Sequence, residues 1–290
     1  MSAFVPLLLI VLLAAVLFSK RYGWWRKAVS NSEPRILMYH MVSDHLPKAK
    51  FNKLRVPPAM FERQVRWLAE QGYHFARMSE LTDAAALPEK TVILTFDDGF
   101  ADNLLNADPV LEKYNACATL YLVQDRHDRD WSTSKKAHHD SGELMREPKL
   151  TDPQVQQMLA SGRWELGGHT ITHANLARLE RDEKLREILD SKQALEAQFG
   201  TRLSSFAYPF GIYDADDVEL TEQAGFDTAV TGNAAEGDPG VSALDRGTRA
   251  IRRHRLHQPV LRHRGRRLQP VRDRDLGRTH HPVRDARPPA

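Results

Sequence analysis

Residues 91–99 read TVILTFDDG, an apolar run that ends in two adjacent acids. The apolar part predicts a buried strand, and Asp97 and Asp98 follow at the point where that strand stops. Neighbouring carboxylates at a buried strand end repel each other and lose hydration, so a fold retains them only with a compensating charge or a chemical role. This stretch therefore predicts a core strand with a candidate site at its end.

A second motif, GGHTITH, occupies residues 167–173. His169 and His173 are four residues apart, so one helical turn or a tight loop can direct both imidazoles to one point. Imidazole with carboxylate suits zinc and the later first-row divalent ions, which lower the pKa of a bound water and leave a second carboxylate to accept its proton. Alone, an Asp-Asp pair is more often a turn or helix cap, and an HxxxH pair is more often a surface feature. Both motifs at strand ends of one α/β region favour a metal site.

The chain alternates short apolar runs with amphipathic stretches, a pattern that predicts strands and helices in turn. Residues 57–71 and 182–199 each place apolar side chains on one helical face, and Gly200 is a natural helix stop. Strands that alternate with helices of this length predict a parallel α/β sheet, open or closed into a barrel, with catalytic groups at the carboxyl ends of the strands. The predicted strands are residues 35–39, 73–76, 91–96, 118–123, 164–167, 205–208 and 226–231.

TFDDG, followed by HTxxH in a Gly-Gly-His context, resembles the polysaccharide deacetylase family (NodB homology, carbohydrate esterase family 4), and the similarity covers residues 34–232. The resemblance implies a distorted (β/α)7-type barrel that removes acetyl groups from N-acetylated sugars with a divalent metal. It also implies that Asp97 is the catalytic base and that Asp98, His169 and His173 are the metal ligands. The implied metal is zinc, with cobalt and nickel as alternatives.

A third segment, AYPFG at residues 207–211, aligns with the family motif Arg-x-Pro-Tyr. The family Arg, which orients the base, is Ala207 here, so Asp97 needs another partner. The family Tyr, whose backbone amide helps to bind the oxyanion, is Phe210, a mild change because a backbone N–H does not depend on the ring hydroxyl. The alternative interpretation is a Pro-Phe-Gly turn packed on the barrel. The resemblance assigns substrate and oxyanion contacts to Tyr208, Pro209 and Phe210.

In most of the family the general acid is a His in a Leu-x-His motif near the C-terminal end. The late candidates here, His254 and His257, lie in an unusual Arg-rich tail. His40 ends the first predicted strand in the segment YHMV, which resembles the Tyr-His segment of a branch that includes the poly-N-acetylglucosamine deacetylases of biofilms. The resemblance to this branch implies that His40 is the acid; the alternative is a neutral His that caps the strand.

Two further segments carry weaker signals. Residues 125–149 form a polar insertion with Trp131, interpreted as a solvated insertion or as a lid or sugar-contacting loop. Asp102 and Asn103 are interpreted as the start of the next helix. The single cysteine, Cys117, excludes an internal disulfide.

The net charge of +3 averages two unlike regions. Residues 245–290 carry fourteen Arg and four Asp, a charge of +10, which leaves −7 for residues 1–244. A tail with Arg but no Lys, rich in Pro and His, is typical of a disordered basic segment or of a shifted reading frame in a GC-rich gene. In the second case, the last strand and helix of the barrel are missing or scrambled. A nucleic-acid partner would rest on this tail alone, and none is expected.

Residues 3–18 are an uninterrupted run of sixteen apolar residues, and a basic and aromatic belt follows at residues 20–27. A cleaved signal peptide carries its positive charge before the apolar run, so this order predicts a transmembrane anchor at residues 1–19 with a linker over residues 20–33. A cleaved signal or an interfacial helix is the alternative. The predicted location is the bacterial inner membrane, single-pass, with the side of the catalytic domain left open.

The sequence thus predicts a membrane-anchored, metal-dependent hydrolase whose domain at residues 34–244 removes N-acetyl groups from amino sugars of a cell-surface or biofilm polysaccharide. Deacetylation or deformylation of a lipid-linked sugar is the alternative reaction. An inactive glycan-binding module is the alternative from another class, motivated by Ala207 and by the aberrant C-terminal segment.

Overall fold

The computed structural model describes residues 4–22, 30–135, 141–232 and 249–252. Strands and helices alternate along most of these ranges, as predicted for a parallel sheet. The strands are β1 (Arg35–Tyr39), β2 (His74–Ala76), β3 (Thr91–Asp97), β4 (Ala118–Leu122), β5 (Trp164–Gly168), β6 (Ser205–Ala207), β7 (Thr228–Thr231) and β8 (Arg249–Arg252). The α-helices are α1 (Phe4–Tyr22), α2 (Pro58–Glu70), α3 (Asp108–Lys113), α4 (Ser132–Lys135), α5 (Glu143–Arg146), α6 (Asp152–Ala160), α7 (Arg181–Leu185), α8 (Ser191–Phe199) and α9 (Ala215–Gln223).

The strands form one sheet in the order β1-β3-β4-β5-β6-β7-β8, with β2 paired to the start of β3. Every pair is parallel except β7 with β8. Parallel neighbours put their carboxyl ends at one edge of the sheet, which is where the two sequence motifs lie. In the described ranges β1 and β8 are not paired with each other, so the predicted (β/α)7-type barrel is present as a half-barrel.

Strands β3, β4, β6 and β7 are buried on both faces, and successive side chains of the sheet enter two different apolar clusters. All seven residues of β3 are buried; Leu94 and Phe96 pack outward under the helices, and Ile93 packs inward. Asp97 continues the inward series two positions beyond Thr95 and lines the cavity of the half-barrel. The inward cluster consists of Ile36, Ala76, Met78, Leu81, Ile93, Tyr121, Ala207 and Val230.

The outer face of the sheet is covered by helices with the predicted apolar stripes. Helix α2, predicted at residues 57–71, buries Phe61, Val65 and Leu68 against this face. Their spacing of four and three residues puts them on one side of the helix. Each such side chain contributes about 1.5–3 kcal/mol when fully buried, so the stripe explains why α2 packs on the sheet.

Two π-helical turns lie beside the regular helices, at Asn103–Ala107 before α3 and at Arg186–Asp190 between α7 and α8. The second interrupts the helix predicted at residues 182–199, which ends as expected at Gly200 with a left-handed φ of 63°. Such turns often occur at functional sites because they reorient side chains relative to a regular helix. Both turns carry a polar side chain that contacts the site described below.

The two chain ends differ in part from the predictions. Helix α1 occupies the predicted anchor, but no helix in the described ranges combines the length and hydropathy of a membrane span, so the inner-membrane location stays a prediction. Within the predicted tail, residues 249–252 form β8, which pairs antiparallel with β7, and the other residues of the tail lie outside the described ranges, so its character stays a prediction. His254 and His257 lie outside the described residues, and the domain boundary at residue 244 stays a prediction.

Candidate active site

Three buried side chains meet at the carboxyl edge of the sheet. Asp98 directly follows β3, and His169 directly follows β5, with His173 in the loop beyond it. Nε2 of His169 and Nε2 of His173 lie 3.4 Å and 3.1 Å from Oδ1 of Asp98. One potential ligand atom from each residue lies within 4.8 Å of the others, so the structure brings together the three predicted metal ligands.

The geometry of this cluster fits a divalent cation. Oδ1 of Asp98 is buried and has no hydrogen-bond partner in the described part of the chain, although both Nε2 atoms are close. An unsatisfied buried acceptor costs about 1–3 kcal/mol, and a cation between the three side chains would satisfy it. One carboxylate and two imidazoles are a donor set that zinc accepts, with positions left for water and substrate.

The backbone at the site is strained. Asp98, Thr170 and His173 have φ values of 76°, 66° and 57°, in the left-handed region that non-glycine residues avoid. Each costs about 1–2 kcal/mol, and such strain persists where surrounding contacts enforce it, often at functional sites. Gly99 follows with φ 81°, and a Cβ there would lie 2.4 Å from Cδ1 of Leu122, so the motif requires glycine at this position.

The pKa values of the two neighbouring acids, Asp97 and Asp98, are shifted in opposite directions. Burial alone would raise the pKa of Asp98, but the imidazoles of His173 and His169 outweigh burial and hold that pKa well below its ordinary value. Burial raises the pKa of Asp97, and His40 and His169 only partly oppose it. Burial lowers the pKa of His173 to about 4, which keeps its imidazole in the neutral form that binds metals. Asp98 is thus the stronger acid of the pair, and Asp97 is the more basic one.

His40 lies beside Asp97, where the family Arg is missing. Strand β1 pairs with β3 as far as Tyr39 and Phe96, and the next residues on the two strands are His40 and Asp97. Nε2 of His40 is 4.0 Å from Oδ2 of Asp97, and in the described residues no other Lys, Arg or His nitrogen comes this close to that carboxylate. Ala207 contributes only a methyl group to the inward cluster.

Asn103 and Asn106 fix the loop that carries His40. Nδ2 of Asn103 donates to the carbonyl of His40 at 2.8 Å, and Nδ2 of Asn106 donates to the carbonyl of Val42 at 2.7 Å. Both belong to the π-helical turn that follows TFDDG. Sequence reasoning interpreted Asn103 only as a helix start; the signal it missed is a pair of amides three residues apart on a helix whose neighbours are apolar.

The loop that carries His173 is held by Glu187, from the second π-helical turn. Its carboxylate accepts hydrogen bonds from the backbone amides of Ile171 and Thr172, at 2.9 Å and 3.0 Å, and from Oγ1 of Thr172 at 2.8 Å. The sequence pattern at residues 182–199 predicted only an apolar helical face, and it did not predict a role for Glu187. The three hydrogen bonds accepted by this carboxylate offset the backbone strain of the loop between the two histidines.

Residues 207–211, the predicted oxyanion segment, pack against the site through the Phe210 ring. The Tyr208 hydroxyl donates to Oγ1 of Thr221 on α9 at 3.1 Å, so it is turned away from the metal cluster. Pro209–Gly211 form a 3-10 turn in which Phe210 has a left-handed φ of 60°. The Phe210 ring lies 4.5 Å from the imidazole of His173, edge to face. The segment is thus a Pro-Phe-Gly turn and also a wall of the site.

A cavity of about 520 Å³ opens in front of the cluster. Its walls include the aromatic rings of Phe51, Trp131 and Phe210, with Lys53 and Gln64 among the polar groups. A mostly apolar cleft with a few convergent polar groups is typical of a small-molecule or substrate site.

Comparison with known proteins identifies the family. A sequence model described as polysaccharide deacetylase matches residues 84–229, which include Asp97, Asp98 and both histidines. YxkH of Bacillus subtilis (strain 168), which carries a polysaccharide deacetylase name, is 31% identical over 236 residues, covering 80% of this chain and 74% of YxkH. The chain belongs to the polysaccharide deacetylase family. The predicted family and the predicted enzyme class, a hydrolase of the carbon–nitrogen bond of N-acetyl groups, are confirmed.

More distant members of the polysaccharide deacetylase family share part of their length with the chain. The poly-beta-1,6-N-acetyl-D-glucosamine N-deacetylase of Staphylococcus aureus (strain MRSA252) is 22% identical over 181 residues, covering 59% of this chain and 58% of the relative. The crystal structure of BC0361, a polysaccharide deacetylase from Bacillus cereus, superposes with a TM-score of 0.59 at 27% identity, covering 76% of this chain and 60% of BC0361. The chain therefore spans less than two thirds of these two relatives. Membership of the Tyr-His branch stays a prediction.

Proposed function

We propose that this member of the polysaccharide deacetylase family is a metal-dependent enzyme that removes N-acetyl groups from amino sugars of a cell-surface or biofilm polysaccharide. The observation that carries the proposal is the buried cluster of Asp98, His169 and His173, with the second carboxylate of Asp97 beside it. In this proposal Asp98, His169 and His173 hold the metal. When bound, a divalent metal at this position polarises a carbonyl oxygen and lowers the pKa of a water. Zinc suits the donor set, and cobalt and nickel suit it too.

In this proposal Asp97 and His40, which both line the cavity beside the cluster, carry out the two proton transfers. Asp97 accepts a proton from the water whose oxygen adds to the acetyl carbon, and a raised pKa makes it a better base while it is still ionised. His40 donates a proton to the amide nitrogen as the carbon–nitrogen bond breaks. The products are acetate and a free amino sugar. The backbone of the turn at Phe210 is proposed to donate to the carbonyl oxygen as negative charge develops there.

The proposed substrate class follows from the cavity and from one relative. The Staphylococcus aureus relative is named for poly-beta-1,6-N-acetyl-D-glucosamine, which supports a glycan of N-acetylated amino sugars here as well. The side chains of Phe51 and Phe210 form apolar parts of the cavity wall against which a sugar ring can pack, and Lys53 and Gln64 offer hydrogen bonds to its hydroxyls. A neutral acetamido group requires no counter-charge, consistent with this lining.

Acetate release measured with and without metal tests the proposal. N-acetylglucosamine oligomers and a lipid-linked N-acetylated sugar are offered separately to the metal-loaded protein, to the chelated protein, and to the chelated protein after zinc, cobalt or nickel is added back. We expect acetate from the oligomers, loss of release on chelation, and recovery on addition of metal. Release from the lipid-linked sugar alone would favour the alternative substrate. Absence of both metal binding and release would indicate a glycan-binding module.

Replacing His40 with Gln should lower kcat by about 10²–10⁴-fold, the range for loss of a general acid, and should leave the bound metal unchanged. His40 is not one of the three clustered ligands, so metal content, measured by elemental analysis, separates its role from theirs. His74→Gln is the matched control, because His74 lies exposed on β2. Wild-type turnover in His40→Gln would leave His40 as a strand cap and require another acid.

A further inference from the structure

The two histidines of the cluster are oriented by different means. Nδ1 of His169 donates to the carbonyl of Ala207 at 2.8 Å, which directs Nε2 toward Asp98. Metal-binding histidines almost always have such an acceptor for the second ring nitrogen. Nδ1 of His173 is buried and has no hydrogen-bond partner among the described residues. Among the described residues, the contacts that fix the Nδ1 side of the His173 ring are therefore packing contacts.

Two aromatic rings from different loops contact His173. The Trp131 ring lies 5.0 Å from the imidazole at an interplanar angle of 31°, and the Phe210 ring lies 4.5 Å from it at 87°. One contact is close to parallel and the other is perpendicular, so together they restrict rotation of the imidazole in two directions. Both rings belong to loops that follow strands, Trp131 after β4 and Phe210 after β6.

The side chain of Lys149 holds Trp131 in place. Nζ of Lys149 lies 4.8 Å from the centre of the Trp131 ring and 4.6 Å from the centre of the Phe100 ring, within the range of cation–π contacts. The same ammonium donates to the carbonyls of Leu144 and Glu147, at 2.6 Å and 2.8 Å. Trp131 is 3% exposed and Lys149 is 8% exposed, so neither contact is a mobile surface feature.

We propose that Trp131 and Phe210 form an aromatic clamp that orients His173 as a metal ligand, and that Lys149 holds Trp131 in this clamp. The inference rests on the proposed metal site and adds positioning residues to it. A metal held by His173 would draw electron density from the imidazole, and the Trp131 ring beside it would stabilise the more positive imidazole. The polar insertion at residues 125–149 thus serves to support a metal ligand.

Metal affinity and the spectrum of a cobalt-substituted protein test the clamp. Trp131→Leu should weaken zinc binding by about 10–100-fold, the usual effect of losing a partner that supports a metal ligand, as measured by competition with a chromogenic chelator. Trp131→Phe should recover most of that affinity, because the ring contact with His173 is restored. The visible absorption bands of bound cobalt should shift in Trp131→Leu and return toward wild type in Trp131→Phe. Lys149→Met should show a smaller loss in the same direction.

The control is Trp67→Leu, which removes a tryptophan that is 53% exposed on α2 and should leave both measurements unchanged. If Trp131→Leu does not fold, as judged by circular dichroism, Lys149→Met carries the comparison. Wild-type affinity and an unshifted cobalt spectrum in folded Trp131→Leu, or in folded Lys149→Met where Trp131→Leu does not fold, would overturn the clamp while leaving the proposed function intact. A wild-type protein that binds neither zinc nor cobalt would overturn the proposed function as well.

Discussion

Replacing Asp98 with Ala is expected to abolish tight metal binding and, with it, acetate release. Asp98 supplies the carboxylate of the Asp98-His169-His173 cluster, and its loss leaves two imidazoles as donors. Loss of a residue that merely supports a ligand costs about 10–100-fold in metal affinity, so loss of the ligand itself should exceed that range. Competition with a chromogenic chelator measures the affinity, and acetate release measures the consequence.

The Asp98→Ala variant should nevertheless fold. Oδ1 of Asp98 has no hydrogen-bond partner in the described structure, and its removal also relieves repulsion with Asp97. The metal-free variant should melt below the metal-free wild type, because the folded protein holds the pKa of Asp98 well below its ordinary value and so stabilises its charged form, and because Ala adopts a φ of 76° less readily than Asp. Each 1 kcal/mol lost lowers the melting temperature by about 2–4 °C in a chain of this size. Metal at 100 times its Kd adds about 2.7 kcal/mol to the stability of the wild type, and the variant should lack this gain.

Asp216→Asn is the matched control for Asp98→Ala, because Asp216 is an exposed acid on α9 whose ion pair contributes little. It should retain both the metal affinity and the metal-dependent rise in melting temperature. A rise of wild-type size in Asp98→Ala would show that the metal is held elsewhere.

The fold was largely predictable because β3, β4, β6 and β7 are buried on both faces. Such strands are continuous apolar runs, and the bounds predicted for residues 35–39 agree with those of β1. The proximity of Asp98 and His169 was predictable for a related reason, since carboxyl ends of parallel strands share one edge. The open, half-barrel form of the sheet could not be predicted from the sequence, because closure of a barrel depends on whether the first and last strands pair with each other. The pairing of β8 with β7 could not be predicted from the Arg-rich composition of β8, because the pairing is made by backbone hydrogen bonds, which do not require particular side chains.

The supporting contacts of the site were not predictable from periodicity. Glu187 and Asn103 lie in helical segments, and their role follows from a π-helical turn that redirects the side chain toward a backbone group of another loop. Trp131 lies in a segment whose polar composition indicated a solvated insertion, yet the ring is buried against His173. Each of these contacts joins residues from separate elements, so only the three-dimensional arrangement shows them.

Asp97→Asn should lower the rate of acetate release by about 10²–10⁴-fold and leave metal affinity close to that of the wild type. The amide has nearly the shape of the carboxylate, so the variant removes the proton acceptor without opening a cavity. Asp97 faces the cavity beside the cluster and is not one of its three members, which is why turnover and metal binding should separate. Single-turnover acetate release and the chelator competition measure the two effects on the same preparation.

The neighbouring His40 sharpens this test. Nε2 of His40 lies 4.0 Å from Oδ2 of Asp97, and in the proposed reaction the two groups act on the same amide in successive steps, so their effects should not add. The double variant Asp97→Asn/His40→Gln should therefore be little slower than the worse single variant. A fully additive loss would mean that the two residues contribute independently to one rate-limiting transition state. Loss of metal in Asp97→Asn, to the extent expected for Asp98→Ala, would instead make Asp97 part of the metal-binding set and leave the reaction without its proposed base.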